Sequence, residues 1–533
     1  MKPELVMKTT RSAVLKLEGA GKYYAECKYE LIVNGERAVE TDRTVTTIRD
    51  LEPDTEYTVC ASWRGERTKS VRFRTDREYV TLNVRNFGAY GDGIHDDTGA
   101  VQAAVTACPL QSRVLFPEGV YKVSCIFLKS DITLHLEKGA VISAFTERDR
   151  VPVLPGTIES SDGKEEYNIG SCGGNPADVF ASVITGIGVR NVVITGDGTI
   201  DGCAGFDNWW KNPVEIDIAA RPKLLFLSHC ENVTLHGITV TNSPQWTVHP
   251  YRCRQVKCID LTIINPKNSP NTDGFNPESC EDVLVLGTMI SVGDDCIAVK
   301  SGKIEMALKS PMPAENLVIK NCCMRDGHGA VTLGSENAGG VFNVLVKDCE
   351  FYHTDRGLRI KTRRGRGEKS VIDGIVFDNI AMDGVMTPIV VNSFYFCDPD
   401  GRSPYVASKE KLPVDERTPF IKKMAFRNIR AVNCHVAAAY IYGLPERKIE
   451  RLVLENVEIS FAENARPGMA AMMVGCDETV KSGITAVNVE EVVLQNVTLH
   501  GVEGEERMLR NVDTVKEECG KDGTEEDSTD TQE

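Results

Sequence analysis

Between Asn316 and Lys361 the chain reads NLVIKNCCMRDGHGAVTLGSENAGGVFNVLVKDCEFYHTDRGLRIK. Two apolar runs of one form, Asn316-Leu317-Val318-Ile319 and Asn343-Val344-Leu345-Val346, begin 27 residues apart, and each leads into a short polar island. Runs this short are strand-like, and no helical pattern of 10–15 residues stands between them, which argues against alternating strand–helix units. The run recurs from Asn232, Lys257, Asp282, Gly374, Lys423, Arg451 and Glu491, at steps of 25 to 49 residues. Five places into the later runs stand Asp348, Asn379, Asn428, Asn456 and Asn496. Fixed apolar positions with one recurring polar position describe stacked rungs and a polar ladder, so the expected fold is all-β, a parallel β-helix.

Outward from these runs, the repeat takes over from about residue 131. Before it, the glycine- and aspartate-rich segment Phe87 to Thr98 gives way to the Ala-rich stretch Gly99 to Cys108, which predicts a helix that plugs the first end of the coil. Asp96 and Asp97 precede that helix and are expected to cap it, where a carboxylate meets unsatisfied N–H groups. Residues 1–78 read as a small β-sandwich, with alternating runs such as Ala25 to Leu31 and turn signals such as Val33-Asn34-Gly35. Within it, Leu51 to Val59 resembles the tyrosine corner of fibronectin type III modules, centred on Tyr57. The expected organisation is therefore a sandwich over 1–78, the β-helix over 79–502, and an acidic tail over 503–533 without fixed structure. Long insertions at Gly156 to Ala177 and Asp398 to Pro419 are expected to wall off an end of a groove.

The chain has 533 residues and a formal net charge of −16. Such acidity argues against nucleic acid as the main partner, since a phosphate backbone calls for a basic footprint. No run approaches the ~20 apolar residues needed to cross a bilayer. The start, Met1 to Lys8, has no apolar segment of signal-peptide length, and the 18 cysteines are thinly spread without a CxxC pair. A cytoplasmic protein with buried thiols is the expectation, or a secreted or periplasmic one if a leader has been removed. The dispersed histidines and cysteines suggest no metal and no cofactor. Against the acidic background, Arg356, Arg359, Lys361, Arg363, Arg364 and Arg366 crowd eleven residues without one acid. A solvated strand face is the plain reading of such a run, and an anion site is the sharper one.

Four polar islands carry the chemistry: Asn271-Thr272-Asp273-Gly274, Gly293-Asp294-Asp295-Cys296, Gly327-His328-Gly329 and Arg359-Ile360-Lys361. Asp294 and His328 each fall 12 places after the start of their run, so they should be neighbours across one rung step of ~4.8 Å. Asp273 and Arg359 each fall 16 places in, on flanking rungs. Three carboxylates, an imidazole and paired cations should thus converge, and crowded like charges raise at least one carboxyl pKa, as a general acid requires. Taken alone, Asp294-Asp295 would pass for a pair of turn carboxylates.

With Gly198 to Gly202 and Asn242 to Trp246, these ordered islands resemble the polygalacturonases of glycoside hydrolase family 28, over about Phe87 to Val502. The resemblance implies a right-handed β-helix and hydrolysis of α-1,4-galacturonosidic bonds with inversion. It implies that Asp294 is the general acid, that Asp273 and Asp295 hold and deprotonate water, and that His328 tunes the acid. Arg359 and Lys361 would grip a uronate carboxylate, Tyr395 would contact substrate or pack in the core, and Asn271 would orient the site. The partner would be an anionic galacturonan oligosaccharide or polysaccharide. The stretch Gly357 to Gly367, with the N-terminal module, is similar to bacterial exo-acting members, although Glu368-Lys369 departs from their pattern. Alternatives are a rhamnogalacturonan- or xylogalacturonan-type hydrolase, a Ca²⁺-dependent pectate lyase, and a non-catalytic pectin-binding β-helix.

Overall fold

A computed structural model describes residues 2–164 and 166–518. The body is a right-handed parallel β-helix in which 28 strands, from Thr81–Asn83 to Arg507–Glu518, join in one continuous coiled sheet. Its interior is a column of stacked apolar side chains. Val192, Val233, Val256, Val283, Leu317, Val344, Ile375, Met424, Leu452 and Val492 pair in unbroken register and are all buried. From Val283 onward each carries the second position of a repeat run, as Val233 does. At Val256 the structure sets the run two residues earlier than the Lys257 start, from Gln255. Asp273 therefore falls level with Asp295 and not with Arg359, which pairs with Thr332. Because every rung buries its apolar face only against its neighbours, the period read in the sequence is the physical unit of the fold.

The polar ladder lies at a left-handed bend inside the long strands Val371–Asp383, Lys423–Cys434, Ile449–Phe461 and Ser482–His500. Asn379, Asn428, Asn456 and Asn496 have φ of 57°, 54°, 53° and 49°, in the left-handed region that Asn tolerates better than most residues. Their side-chain amides donate to the rung before: Asn379 to Asp348 at 2.7 Å, Asn456 to Asn428 at 3.1 Å and Asn496 to Asn456 at 3.0 Å. Asn428 donates instead to Asp378, at 2.8 Å.

Three expectations change. The coil starts earlier than residue 131, since Arg113–Phe116 already pairs with Thr81–Asn83 and with Ile132–Leu136. The helix Thr98–Ala107 does plug the first end, burying Val101, Ala104 and Val105 in the main core. Asp97 at its N-terminus makes no side-chain cap; its carboxylate accepts from the Tyr90 and Gly91 amides at 2.6 and 3.0 Å, while Asp96 accepts from the Thr98 amide at 3.0 Å. Within the acidic tail, Arg507–Glu518 forms the last strand and pairs in parallel with Ser482–His500, because Leu509 and Val512 still pack on the core end. Residues 519–533 lie outside the described residues.

The N-terminal part has two antiparallel sheets. Lys2–Lys8, Ala13–Glu18 and Val45–Ile48 form one; Tyr24–Val33, Glu36–Arg43, Glu56–Trp63 and two short strands form the other. They enclose Leu15, Leu17, Tyr29, Leu31, Ile48, Val59 and Phe73. The Tyr57 hydroxyl accepts from the Glu52 amide at 2.8 Å. This unit is docked on the coil by an apolar contact of Val14 and Val45 with Ile259 and Leu286. At its edges Arg43 reaches Asp260 and the Gly287 carbonyl, and Glu350 accepts from the Tyr23 and Tyr24 amides.

Candidate active site

One face of the coil presents two outward rows of side chains, fixed by strand parity. The first row is Phe226, His249, Asn276, Ala298, Thr332, Arg359, Val390 and Tyr440; the second is Ser228, Tyr251, Glu278, Lys300, Gly334, Lys361, Asn392 and Tyr442. Leu358 and Ile360 point the other way and are fully buried in the core. Alternation within Arg356–Lys361 therefore sends Arg359 and Lys361 together onto this floor.

The turns that lead into these strands bring the acids to its edge. One carboxylate oxygen from each of Asp273, Asp294 and Asp295 lies within 4.8 Å of the others. Asp295, fully buried, is gripped from two sides: Lys361 Nζ donates to Oδ2 at 2.7 Å and Arg359 Nη1 to Oδ1 at 3.1 Å. Gly329 makes this approach possible, since a Cβ there would stand 2.9 Å from Asp295 Oδ1 and 2.4 Å from Thr332 Oγ1. Asp294 Oδ1 lies 3.3 Å from His328 Nδ1, and the His328 amide donates to the Asp294 carbonyl at 3.0 Å. Asp273 accepts from Asn276 Nδ2 at 2.9 Å and has Lys300 Nζ at 3.8 Å.

Electrostatics separates the three acids. Burial opposes charge on all of them. For Asp295 the adjoining Lys361 and Arg359 win, and its carboxyl is held far below the usual range. Burial of Asp294 is opposed by the His328 hydrogen bond, and its net direction is downward; His328 in turn is raised by that bond. Asp273 is pushed up to about 7, by burial first and then by Asp294. Among three carboxylates this close, burial and neighbouring charge favour a proton on Asp273 over one on Asp294. Crowding does raise a carboxyl, but not the one expected from the sequence, because His328 and its bond favour the Asp294 anion.

Three segments pack against the face that carries the trio. From the insertion at 156–177, Asn168 Nδ2 donates to the Tyr251 hydroxyl at 3.0 Å, the Asn168 carbonyl accepts from Ser228 at 2.8 Å, and the Ser171 carbonyl accepts from Lys223 at 3.1 Å. The insertion at 398–419 places Asp398 against Arg363, Arg366 and Lys303. A third segment, unmarked in the sequence, crosses the far side: Arg356 donates to the Met469 carbonyl, Asn392 to the Met472 carbonyl, and Met472 Sδ lies 2.6 Å from Arg359 Nη2. The way in passes Asp294 and His328, whose side chains are 21% and 51% exposed.

The other expected residues divide. Tyr395 is buried, with its ring 5.4 Å from Lys361 Nζ, so it backs the cation. Asn271 accepts from Arg221 Nη2 at 2.7 Å and thereby holds the turn that carries Asp273; its bond runs away from the trio. Of the six clustered cations only Arg359 and Lys361 reach the acids, and Arg363, Arg364 and Arg366 are consumed by loop carboxylates. Lys300, Glu336 and Met472 belong to the site and were missed. Lys300 had a signal, because it shares the outward row of Lys361 at the end of an apolar strand; Met472 had none. The three acids have the spacing a divalent cation could use, but Asp295 already spends its oxygens on Lys361 and Arg359 and Asp273 faces Lys300, so the donor set fits an acid–base centre better.

Residues 162–464 match the family described as Glycosyl hydrolases family 28. A "Probable polygalacturonase" of Vitis vinifera is 31% identical over 418 residues, covering 76% of this chain and 80% of its own length. An "Endo-polygalacturonase" of Pectobacterium parmentieri is 29% identical over 56% of this chain and 72% of its own. The solved structure of a Yersinia enterocolitica family 28 exopolygalacturonase superposes with a TM-score of 0.68 at 21% identity, covering 96% of this chain and 99% of that one.

Proposed function

The chain belongs to glycosyl hydrolases family 28, and from that premise we propose that it releases galacturonate units from chain ends of oligogalacturonides. It is a glycoside hydrolase, and its reaction is hydrolysis of polygalacturonate. The observation that carries the catalytic reading is the trio itself: one oxygen from each of three carboxylates within 4.8 Å of the others, one acid gripped by Lys361 and Arg359, one beside an exposed imidazole, one buried against Lys300.

Asp294, at the open side, protonates the glycosidic oxygen as the bond to the anomeric carbon breaks. Water held between Asp273 and Asp295 attacks that carbon and gives its proton to the carboxylates. A proton held by Asp273 in the free site must first reach Asp294, a distance that one bridging water can span. Lys361 and Arg359 carry the charge that a uronate carboxylate seeks, and a fork of this kind suits it. Inversion follows when that water displaces the leaving oxygen in one step from the opposite face of the sugar. Retention, through attack of a carboxylate on that carbon, is the alternative outcome. Proton NMR of the first product decides between them: the β-anomer is expected, and an initial α-anomer would mean retention.

Relatives named for internal and for terminal cleavage both match, so the case for chain-end action is geometric. Segments 156–177, 398–419 and 469–473 lie against the strands that carry the site, and a site flanked in this way suits chain-end action. A time course on polygalacturonate should show mono- or digalacturonate accumulating while viscosity falls slowly. A rapid viscosity drop with mixed oligomers would overturn it. We further read residues 1–78 as a fibronectin type III-like packing module, residues 79–502 as the catalytic domain, and the enzyme as cytoplasmic, meeting short imported oligomers. Localisation by fractionation tests the last point, and a protein found outside the membrane would refute it.

A further inference from the structure

Lys300 stands on the floor beside the trio without a part in the steps above. Its backbone bridges Glu278 on one side and lies level with Gly334 on the other, one rung before Lys361. Gly334 has φ of 97°, and a Cβ there would stand 2.3 Å from the Lys361 carbonyl oxygen. No side chain therefore separates Lys300 from Lys361 along the row. The Lys300 ammonium has Glu336 Oε2 at 3.0 Å, Asp273 Oδ2 at 3.8 Å and the centre of the Trp246 ring at 4.4 Å. Lys300, Asp273 and Trp246 are 4%, 3% and 6% exposed. A lysine this deep is costly unless paired, and here two acids and an indole face hold it in one place.

We propose that Lys300 is a positioning residue of the hydrolysis: clamped by Glu336 and Trp246, its ammonium fixes the Asp273 carboxylate and keeps it ionised, so that it is free to accept a proton from water. The inference rests on reading Asp273 as a water-activating base. In the step it serves, the water oxygen bonds to the anomeric carbon, one water proton passes to Asp273, and the departing glycosidic oxygen takes the proton of Asp294. Lys300 touches none of the reacting atoms.

The charges around Asp273 make the direction of the effect definite. Asp294 and Asp295 face it with negative charge, Lys300, Lys361 and Lys223 with positive, and Asn276 with a neutral amide. Lys300 itself faces Glu336, Asp273 and Asp295, and burial works against its charge while these acids hold it. Glu336 also feels Arg366 and Lys361, so it stays ionised as the outer anchor. Without Lys300, less positive charge would oppose the two neighbouring carboxylates, and Asp273 would keep its proton to higher pH.

The test is the pH profile of kcat on trigalacturonate for the parent, Lys300→Gln and Lys300→Arg, with melting temperature measured alongside. Lys300→Gln keeps a donor toward Glu336 but no charge, and its acid limb should move up by ~1 pH unit or more, a loss of ~10-fold on the acid side. Lys300→Arg restores the charge and should return the limb to the parent position. A Lys300→Gln profile lowered equally at every pH would overturn the proposal, as a purely structural role predicts. Should Lys300→Gln fail to fold, Lys300→Arg decides: an acid limb displaced upward despite the retained charge would refute it. Failure of the parent to cleave trigalacturonate at all would instead sink the functional reading, and the inference with it.

Discussion

Arg359 and Lys361 on one side of Thr362, and Arg363, Arg364 and Arg366 on the other, belong to one cationic run yet meet different ends. The first pair sits on a strand whose parity aims it at Asp295, a carboxylate 64 and 66 residues earlier. The second set lies in the turn that follows and is taken up by acids 32 to 82 residues later: Asp398, Asp400 and Glu446. Arg364 is the extreme case, bonded to both Glu446 oxygens and to the carbonyls of Tyr405, Ser408 and Glu410, and 1% exposed. Charge density along a sequence thus says that anions are near. In this run the cations aimed by the strand meet a site acid, and those in the following turn meet loop anchors.

The strand half should control turnover. Lys361→Met leaves Asp295 buried with half its neutralisation, and a loss of ~100-fold in kcat/KM on trigalacturonate is expected. Its sign with pH is fixed: Lys361 helps hold Asp295 ionised, so the acid limb should move upward in the variant. His328 marks the border of that half. Its bond favours the Asp294 anion, so His328→Gln lets Asp294 keep its proton longer and should move the alkaline limb upward. The accompanying loss should be roughly tenfold, the worth of one hydrogen bond to a charged group. Turnover should be least affected by the loop half. Arg364→Met strands Glu446, itself 1% exposed, and should cost about 3–5 kcal/mol of stability by denaturant titration. The folded variant should keep kcat within about threefold, on the scale of less than ~1 kcal/mol in the barrier. If Arg364→Met lost activity as Lys361→Met does, with unchanged stability, the division of the run would be wrong.

The same contrast explains what could be read without coordinates. The rung period and the apolar column were legible because each run buries the same position against its neighbours, as Val283, Leu317 and Val344 do. So was the meeting of Asp294 with His328, since equal offsets from two run starts place them one rung apart. The left-handed bends under the Asn ladder were visible only as a repeated letter, although the residue type answers to φ of 49° to 57°. Partners that arrive from insertions were not legible: Met472 and Asp398 have no fixed offset from any run. Nor was the order in which the acids favour a proton. It depends on which acid each cation touches, and distances of 2.7 to 3.8 Å cannot be counted off a repeat.

The most direct measurement follows product release from trigalacturonate by the parent and by Asp294→Asn, with equal folding verified by melting. The parent should yield shorter galacturonates at a steady rate, and the variant should lose at least ~100-fold, as expected when a positioned acid is removed. Asp294→Asn turning over at the parent rate would contradict the claim that these turn carboxylates perform the hydrolysis.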